Sequence, residues 1–194
     1  MTSADTTRLT VTNFTGGSEI KYYLEVFDST LTLDSSETLT SGSATATWTG
    51  LDHLDNCPIK IVTGNYSLGD ATVDASGGVS TSPDTFTTIT AGFDYTPSIT
   101  TLAPELQIEG GTSAGVFRRV VRTVLDVNES LDVSAEGTKL LIRNVNDDLS
   151  TEPDKVTGRK EFWVLGWDRR GEVDITQTEP LPLTLNGVMV ELEF

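Results

Sequence analysis

Cysteine and histidine are almost missing from this chain of 194 residues, which has one of each, Cys57 and His53. A single thiol excludes an internal disulfide framework and any cysteine-based zinc site. A single imidazole excludes His-rich metal centres and leaves little for acid–base catalysis. Basic residues are also scarce. Lys and Arg number 13 against 29 Asp and Glu, a net charge of −16. A protein that grips phosphate backbones by bulk charge needs a clustered basic surface, and this balance argues against one. Docking on anionic lipid is disfavoured for the same reason. Apolar runs are only a few residues long, so no segment is expected to insert in a membrane. The opening Met-Thr-Ser-Ala-Asp-Thr-Thr-Arg has neither a basic region nor an apolar stretch, so no signal peptide is expected.

Motifs for chemistry are missing as well. There is no Gly-x-Ser-x-Gly elbow, no Walker loop and no Gly-x-Gly-x-x-Gly, so neither an enzyme nor a bound cofactor is expected. Carboxylate pairs could serve a glycosidase, but carboxylates this common on an acidic surface are solvated in most cases. Asn144-x-Asn146-x-Asp148 opens like a calcium loop. Its sixth position is Leu149 instead of Gly and its twelfth is Lys155 instead of Glu, so no metal is expected there. Three Asn-x-Ser/Thr sequons, at Asn13, Asn65 and Asn128, read as chance matches in a Thr/Ser-rich chain.

What the chain does have is threonine and serine, roughly a quarter of all residues, with 17 Gly and 7 Pro as punctuation. Threonine fits a pleated, half-buried surface. No segment of a dozen residues holds a helical period, so the expected class is all-β. Arg8–Thr12 and Ile20–Phe27 alternate on either side of turn residues 13–17 and read as a hairpin. Pro58–Thr63 is a strand. Ala71–Asp74 and Val79–Thr81 flank Ala75-Ser76-Gly77-Gly78 as a second hairpin. Phe86–Ala91 follows, and Pro97 and Pro104 demote the next segment to a loop or edge. Val116–Val133 is read as one long strand, with Val121, Thr123, Leu125 and Val127 facing one way and Arg122, Val124 and Asp126 the other. Lys139–Arg143 is a short strand and residues 144–158 a polar loop. Glu161–Trp167 and Glu172–Gln177 are strands around the turn at 168–171. Leu181 to Phe194 alternates through Asn186-Gly187, which is either a hairpin or a bulge in one closing strand. About ten short strands with turns every 8–12 residues predict a β-sandwich or jelly-roll-like arrangement.

Charge divides the chain. Residues 1–110 form an acidic β-rich half, with 3 basic and 14 acidic residues. Residues 111–194 form an Arg-containing β-rich half, with 10 basic and 15 acidic residues, and one compact unit of both halves is expected. A late concentration of Arg in an acidic chain suits salt bridges to a copy of itself. The candidate contacts between subunits are Arg118, Arg119, Arg122, Arg159, Arg169 and Arg170, with Trp163 and Trp167. Trp48, Trp163 and Trp167 could also line a sugar-binding face, although core packing or an interface accounts for each more simply. His53, in the turn Asp52-His53-Leu54-Asp55, reads as a hydrogen-bonded structural residue.

Several segments in order resemble the nozzle proteins of short-tailed phages, the tail tubular protein B family. They are Lys21-Tyr22-Tyr23-Leu24-Glu25 with Leu33-Asp34-Ser35, then Thr49-Gly50-Leu51-Asp52-His53-Leu54, Pro58–Gly64, and the hairpin Ala71–Val79. Ala91-Gly92-Phe93-Asp94-Tyr95 and Thr101-Leu102-Ala103-Pro104-Glu105 follow, the latter with Ala103 where the family has Pro. Arg118-Arg119-Val120, Gly166 and Gln177-Thr178-Glu179-Pro180-Leu181-Pro182-Leu183-Thr184 complete the series. Family members are several times longer, so the resemblance covers their C-terminal module. It implies a virion structural protein, made in the host cytoplasm and built into the tail as a ring, most simply a cyclic hexamer. Other tail proteins (an adaptor and fibres) would be its neighbours. DNA would pass through without specific binding. On that reading Asp52, Asp55, Asp70 and Asp74 are candidate channel-facing acids, because a conduit should repel phosphate. The alternative expectation is a receptor- or glycan-binding β-sandwich module on a virion surface.

Overall fold

The computed structural model describes residues 7–12, 21–26, 31–105, 107–108, 111–113, 115–143, 145–148, 151–167 and 169–194, with backbone alone at 7–12, 21–26 and 107–108. They belong to two compact units, Met1–Asp94 and Tyr95–Phe194. The class is all-β: among the described residues there are antiparallel strands and a single short 3-10 turn.

In the first unit β1 (Thr7–Thr12) and β2 (Lys21–Val26) pair as the expected hairpin, with Leu9 opposite Leu24 and Val11 opposite Tyr22. The turn at 13–17 lies outside the described residues. Next come β3 (Asp34–Thr45), β4 (Thr47–Thr49), the 3-10 turn Asp52–Leu54, β5 (Pro58–Thr63), β6 (Tyr66–Thr72), β7 (Gly78–Ser80) and β8 (Phe86–Phe93). One sheet has the order β3-β8-β5-β6, and β4 pairs with β7 in another. Ile59 and Ile61 of β5 and Ile89 and Ala91 of β8 meet Trp48 of β4 and Val79 of β7 in one buried cluster, so two sheets share a core. The expected hairpin around residues 75–78 needs correction. The tight turn is present, closed by Asp74 N–H to Gly78 O at 2.8 Å, but β6 pairs with β5 and β7 with β4. Gly77 sits in that turn at φ +69°, and a Cβ there would lie 2.7 Å from the Asp52 backbone nitrogen. Glycine is required at such a close left-handed approach. Leu51 N–H donates to Gly77 O at 3.0 Å, so the 3-10 turn and the 74–78 turn are joined.

The second unit contains β9 (Ser98–Thr100), β10 (Gln107–Ile108), β11 (Gly111–Thr112), β12 (Arg119–Ser130), β13 (Ser134–Ala135), β14 (Thr138–Lys139), β15 (Val156–Trp163), β16 (Asp174–Thr176) and β17 (Leu185–Glu193). One sheet has the order β15-β12-β17 and a second the order β14-β13-β16-β9. Leu125, Val127 and Phe162 of the first meet Ala135 and Ile175 of the second in one buried cluster, which makes a small sandwich. The long alternating segment is a single strand, as expected, and forms the centre of its sheet. Its register shifts between Val120 and Arg122, so Val120 is buried and Val121 is half-buried. The closing segment is one strand with a bulge. Asp126 pairs with Gly187 and Val127 with Leu185, which leaves Asn186 as the extra residue.

Several strand boundaries differ from expectation: β12 runs over Arg119–Ser130 and not Val116–Val133, and β16 over Asp174–Thr176 and not Glu172–Gln177. Lys139–Arg143 pairs only at its first residue, in a two-residue ladder of β14 with β13, and Leu141 lies almost fully exposed. The polar loop after Asn144 ends earlier, because Val156–Lys160 already pairs with β12. The strand expected to reach Trp167 stops at Trp163.

Candidate functional site

The site is the outer face of the β15-β12-β17 sheet, and alternation along β12 determines which residues reach it. Thr123, Leu125 and Val127 are fully buried, so Arg122, Val124 and Asp126 point the other way. Residues directly opposite each other in an antiparallel ladder share a face. Arg122 stands between Trp163 on β15 and Glu191 on β17, Val124 between Glu161 and Met189, and Asp126 between Arg159 and Gly187. Farther along, Arg119 faces Glu193.

Charge and ring contacts hold this face in place. Arg122 Nη1 lies 3.0 Å from Glu161 Oε1, and Arg122 Nη2 lies 3.0 Å from Glu191 Oε2. The charge of Glu161 and its hydrogen bond, followed by the charge of Glu191, raise the guanidinium pKa above its ordinary value. The Arg122 guanidinium also lies 5.9 Å from the Trp163 ring centroid, within cation–π range. Arg119 Nε is 3.6 Å from Glu193 Oε2, an ion pair too long for a hydrogen bond. Trp163 remains 66% exposed and Met189 44% exposed, on either side of half-buried Val124. The result is an apolar stripe set in an ordered lattice of opposite charges. It offers fixed donors and acceptors with a large ring among them, which is the chemistry of recognition.

Four of the eight expected contact residues (Arg119, Arg122, Arg159 and Trp163) therefore share one sheet face, with Arg119 and Arg159 toward its opposite ends. The other four lie elsewhere in the unit. Arg118 is 1% exposed; its guanidinium donates to the carbonyl oxygens of Pro104 and Ser113 and lies under the Phe194 ring at 5.6 Å. Gly171 leaves it room, since a Cβ there would come within 2.7 Å of Arg118 Cδ. Arg169 covers the exposed Phe117 ring at 4.5 Å, and Arg170 pairs with Glu172 at 2.8 Å. Trp167 is exposed in the segment after β15. Trp48, by contrast, belongs to the first unit's core.

The four candidate acids all lie in the first unit. Asp52 begins the 3-10 turn and is exposed, Asp55 is half-buried just after it, and Asp70 is exposed on β6 opposite Lys60. Asp74 caps its turn: Oδ1 accepts from Ser76 N–H at 2.8 Å, Ser76 Oγ–H at 2.7 Å and Gly78 N–H at 2.9 Å. The Ser76 hydroxyl foremost, then the Gly78 and Ser76 amides, hold its carboxyl below the usual carboxylate range. Asp52, Asp55 and Asp74 share one end of the unit, because Leu51 bonds Gly77 and Asn56 N–H bonds Val73 O at 3.0 Å. His53 Nε2 lies 3.0 Å from Ser35 O.

One residue that matters was not visible beforehand. Asp132 is 2% exposed; its Oδ2 accepts from Thr178 N–H at 2.8 Å and Glu179 N–H at 2.7 Å. Lys139 Nζ pairs with Oδ1 at 3.1 Å, off the line of a hydrogen bond. Together with Leu131 N–H to Pro182 O at 2.9 Å, this ties the 177–184 segment to the end of β12. A buried acid needs such partners, but in the sequence it looks like any other carboxylate.

Among the described residues, no group of three or more His, Cys, Asp or Glu side chains is placed to hold a metal ion. No helix among them is long and apolar enough to cross a membrane. Neither a scan against protein-family models nor a search of curated proteins finds a match.

Proposed function

We propose that the protein is a structural component of a short-tailed phage tail, which assembles with copies of itself into a closed ring that conducts DNA. The observation that carries this reading is the outer face of the β15-β12-β17 sheet. Arg119, Arg122, Arg159 and Trp163, separated by up to forty-odd positions in sequence, lie along this one face with Met189, and Arg122 and Trp163 are directly opposite each other. Arg, Trp and Met are enriched where protein surfaces meet, and an aromatic in an ordered charged surround is the usual form of a binding hot spot. The family resemblance adds the ring and its place in the virion, with an adaptor and fibres as neighbours. The acidic first unit fits a wall that repels phosphate.

The mass of the native assembly and an electron micrograph of it test the proposal. A closed cyclic ring, sixfold by the family's pattern, is expected. A strictly monomeric chain in the native particle would overturn it. One observation favours the second reading, a glycan-binding module: Trp163 and Trp167 are both more than half exposed, as sugar-stacking rings must be. Binding of a soluble oligosaccharide by a monomer, lost on Trp163→Ala, would establish that reading in place of the ring. Arg122 already lies against the Trp163 ring, which favours the ring-forming reading.

A further inference from the structure

We infer that Met189 is an oxidation site, and that a hydroperoxide which turns its thioether into a sulfoxide releases copies of this chain from one another. The chemistry at sulfur needs only exposure. The effect on assembly rests on the contact face proposed above.

Sulfur is scarce in the chain, which has Cys57, Met1 and Met189. Cys57 is 6% exposed in the first unit's core, and its thiol donates to Asp55 O at 3.4 Å, so an oxidant in solution does not reach it. Met1 lies outside the described residues. Met189 is 44% exposed on β17. Val188 and Val190 on either side of it pack against the second unit's core, so by alternation Met189 stands on the outer face. Gly187, next on that face, brings no side chain beside it, and a Cβ there would meet no atom within 4 Å. Among the described residues, Met189 is therefore the sulfur that a small oxidant reaches.

The step balances without any group from the protein. A lone pair on sulfur attacks one oxygen of the hydroperoxide and the O–O bond breaks. That oxygen stays on sulfur, and the other leaves with its proton as water or an alcohol. Sulfur loses two electrons and the peroxide gains them. A flexible apolar side chain becomes a polar one. The new oxygen can only accept hydrogen bonds, and its surroundings offer it no free donor. Val124 is opposite, Glu161 lies beyond Val124, and Glu191 is two residues along β17. Arg122, the next outward residue of β12, already holds Glu161 and Glu191. Covering this face with another copy would bury a polar oxygen without a partner, and that is costly.

The test treats the protein with dilute hydrogen peroxide, locates the added oxygen by peptide mass mapping, and measures assembly by sedimentation before and after. In wild type the peptide holding Met189 should gain one oxygen, and assembly should weaken by about tenfold or more, the order set by one unpartnered polar group. The thermal melt of the dilute chain should not move, because Met189 lies outside the core. Methionine sulfoxide reductase with a thiol reductant should reverse both the mass and the loss of assembly. Met189→Leu, compared with itself, should assemble equally before and after treatment. Oxygen on Met189 with assembly unchanged would overturn the switch and leave the ring intact. So would a loss that Met189→Leu shares, or one that persists after the reductase has restored the mass, since either places the damage at Met1, Trp163 or elsewhere. Untreated wild type that stays monomeric, in free solution and in its native particle, would overturn the ring reading and the switch with it.

Discussion

Asp74 and Asp132 show how differently two carboxylates can be used in one small chain. Asp132 is removed from water and holds two backbone amides of the 177–184 segment, so its role is to fix a loop against β12. Asp74 is exposed and gathers three donors on one oxygen across a tight turn, and its pKa is lowered by the Ser76 hydroxyl foremost and the two amides after it. A pKa lowered in the folded state means stabilisation that is complete above the range where the unfolded carboxyl titrates and is lost as pH falls through the lowered value. Replacing Asp74 with Asn keeps an acceptor oxygen and removes the charge. The expected outcome is that Asp74→Asn melts below wild type at neutral pH and that the gap narrows to nothing as acid protonates the wild-type side chain. Thermal melts at neutral and strongly acidic pH read this directly. A gap of constant size across that range would mean that the carboxylate charge contributes nothing to the turn.

At the scale of the strand, the proposed reading uses the outer face of β12 for contact and the inner face for folding, so substitutions on the two should separate cleanly. Trp163→Ala removes a largely exposed ring and should change the stability of the isolated chain by no more than about 0.5 kcal/mol. The same change should weaken assembly by about 2 kcal/mol or more if the ring is a hot spot. Leu125→Ala empties a fully buried site and should cost about 2–5 kcal/mol of folding stability. Denaturant melts alongside sedimentation of the two variants check the separation. A Trp163→Ala protein that assembles like wild type would remove this face from the interface. These two faces were legible in the sequence because residues 122–127 alternate, with Thr123, Leu125 and Val127 against Arg122, Val124 and Asp126; Val121, expected with Thr123, is half-buried beside the register shift. The partners were not legible, since Glu161, Met189 and Glu191 reach the face only through a sheet order that joins distant segments. β3 was missed for a physical reason. Its twelve residues are Thr, Ser and acids with one Leu, one Gly and one Ala, none is buried, and β8 supplies the ladder and the Thr38–Thr90 hydroxyl contact at 3.0 Å. The over-long strands at Lys139–Arg143 and Glu161–Trp167 failed where apolar residues such as Leu141 and Leu165 have no strand partner and face water. Arg118 looked like its neighbour Arg119, and only the tertiary fold separates a buried guanidinium from an exposed one.

Over the whole molecule, the charges fall unevenly between the two units. The first unit has three basic residues in all, and Lys60, the one whose side chain is described, pairs with Asp94 at 3.3 Å. The second unit carries every Arg but Arg8. In the proposed ring this places cations at contacts between copies and acids of the first unit toward the conduit. Asp52, Asp55 and Asp74 share one end of that unit, so even a single inward turn per copy would repeat as an acidic collar. A collar of this kind centres DNA by repulsion, and its reach ends near a Debye length of about 8 Å at physiological salt. Asp74 is needed for its turn, so Asp52, Asp55 and Asp70 are the residues to neutralise. Rings of the Asp52→Asn/Asp55→Asn/Asp70→Asn variant should retain DNA more strongly than wild-type rings at low salt. The difference should fade as salt screens both surfaces, because retention through phosphate contacts falls steeply with ionic strength. Filter retention of labelled DNA by the two assembled rings across a salt series measures it. Tight, salt-sensitive DNA binding by wild-type rings would refute the collar, and so would a map of the ring with a lumen lined mainly by Lys and Arg.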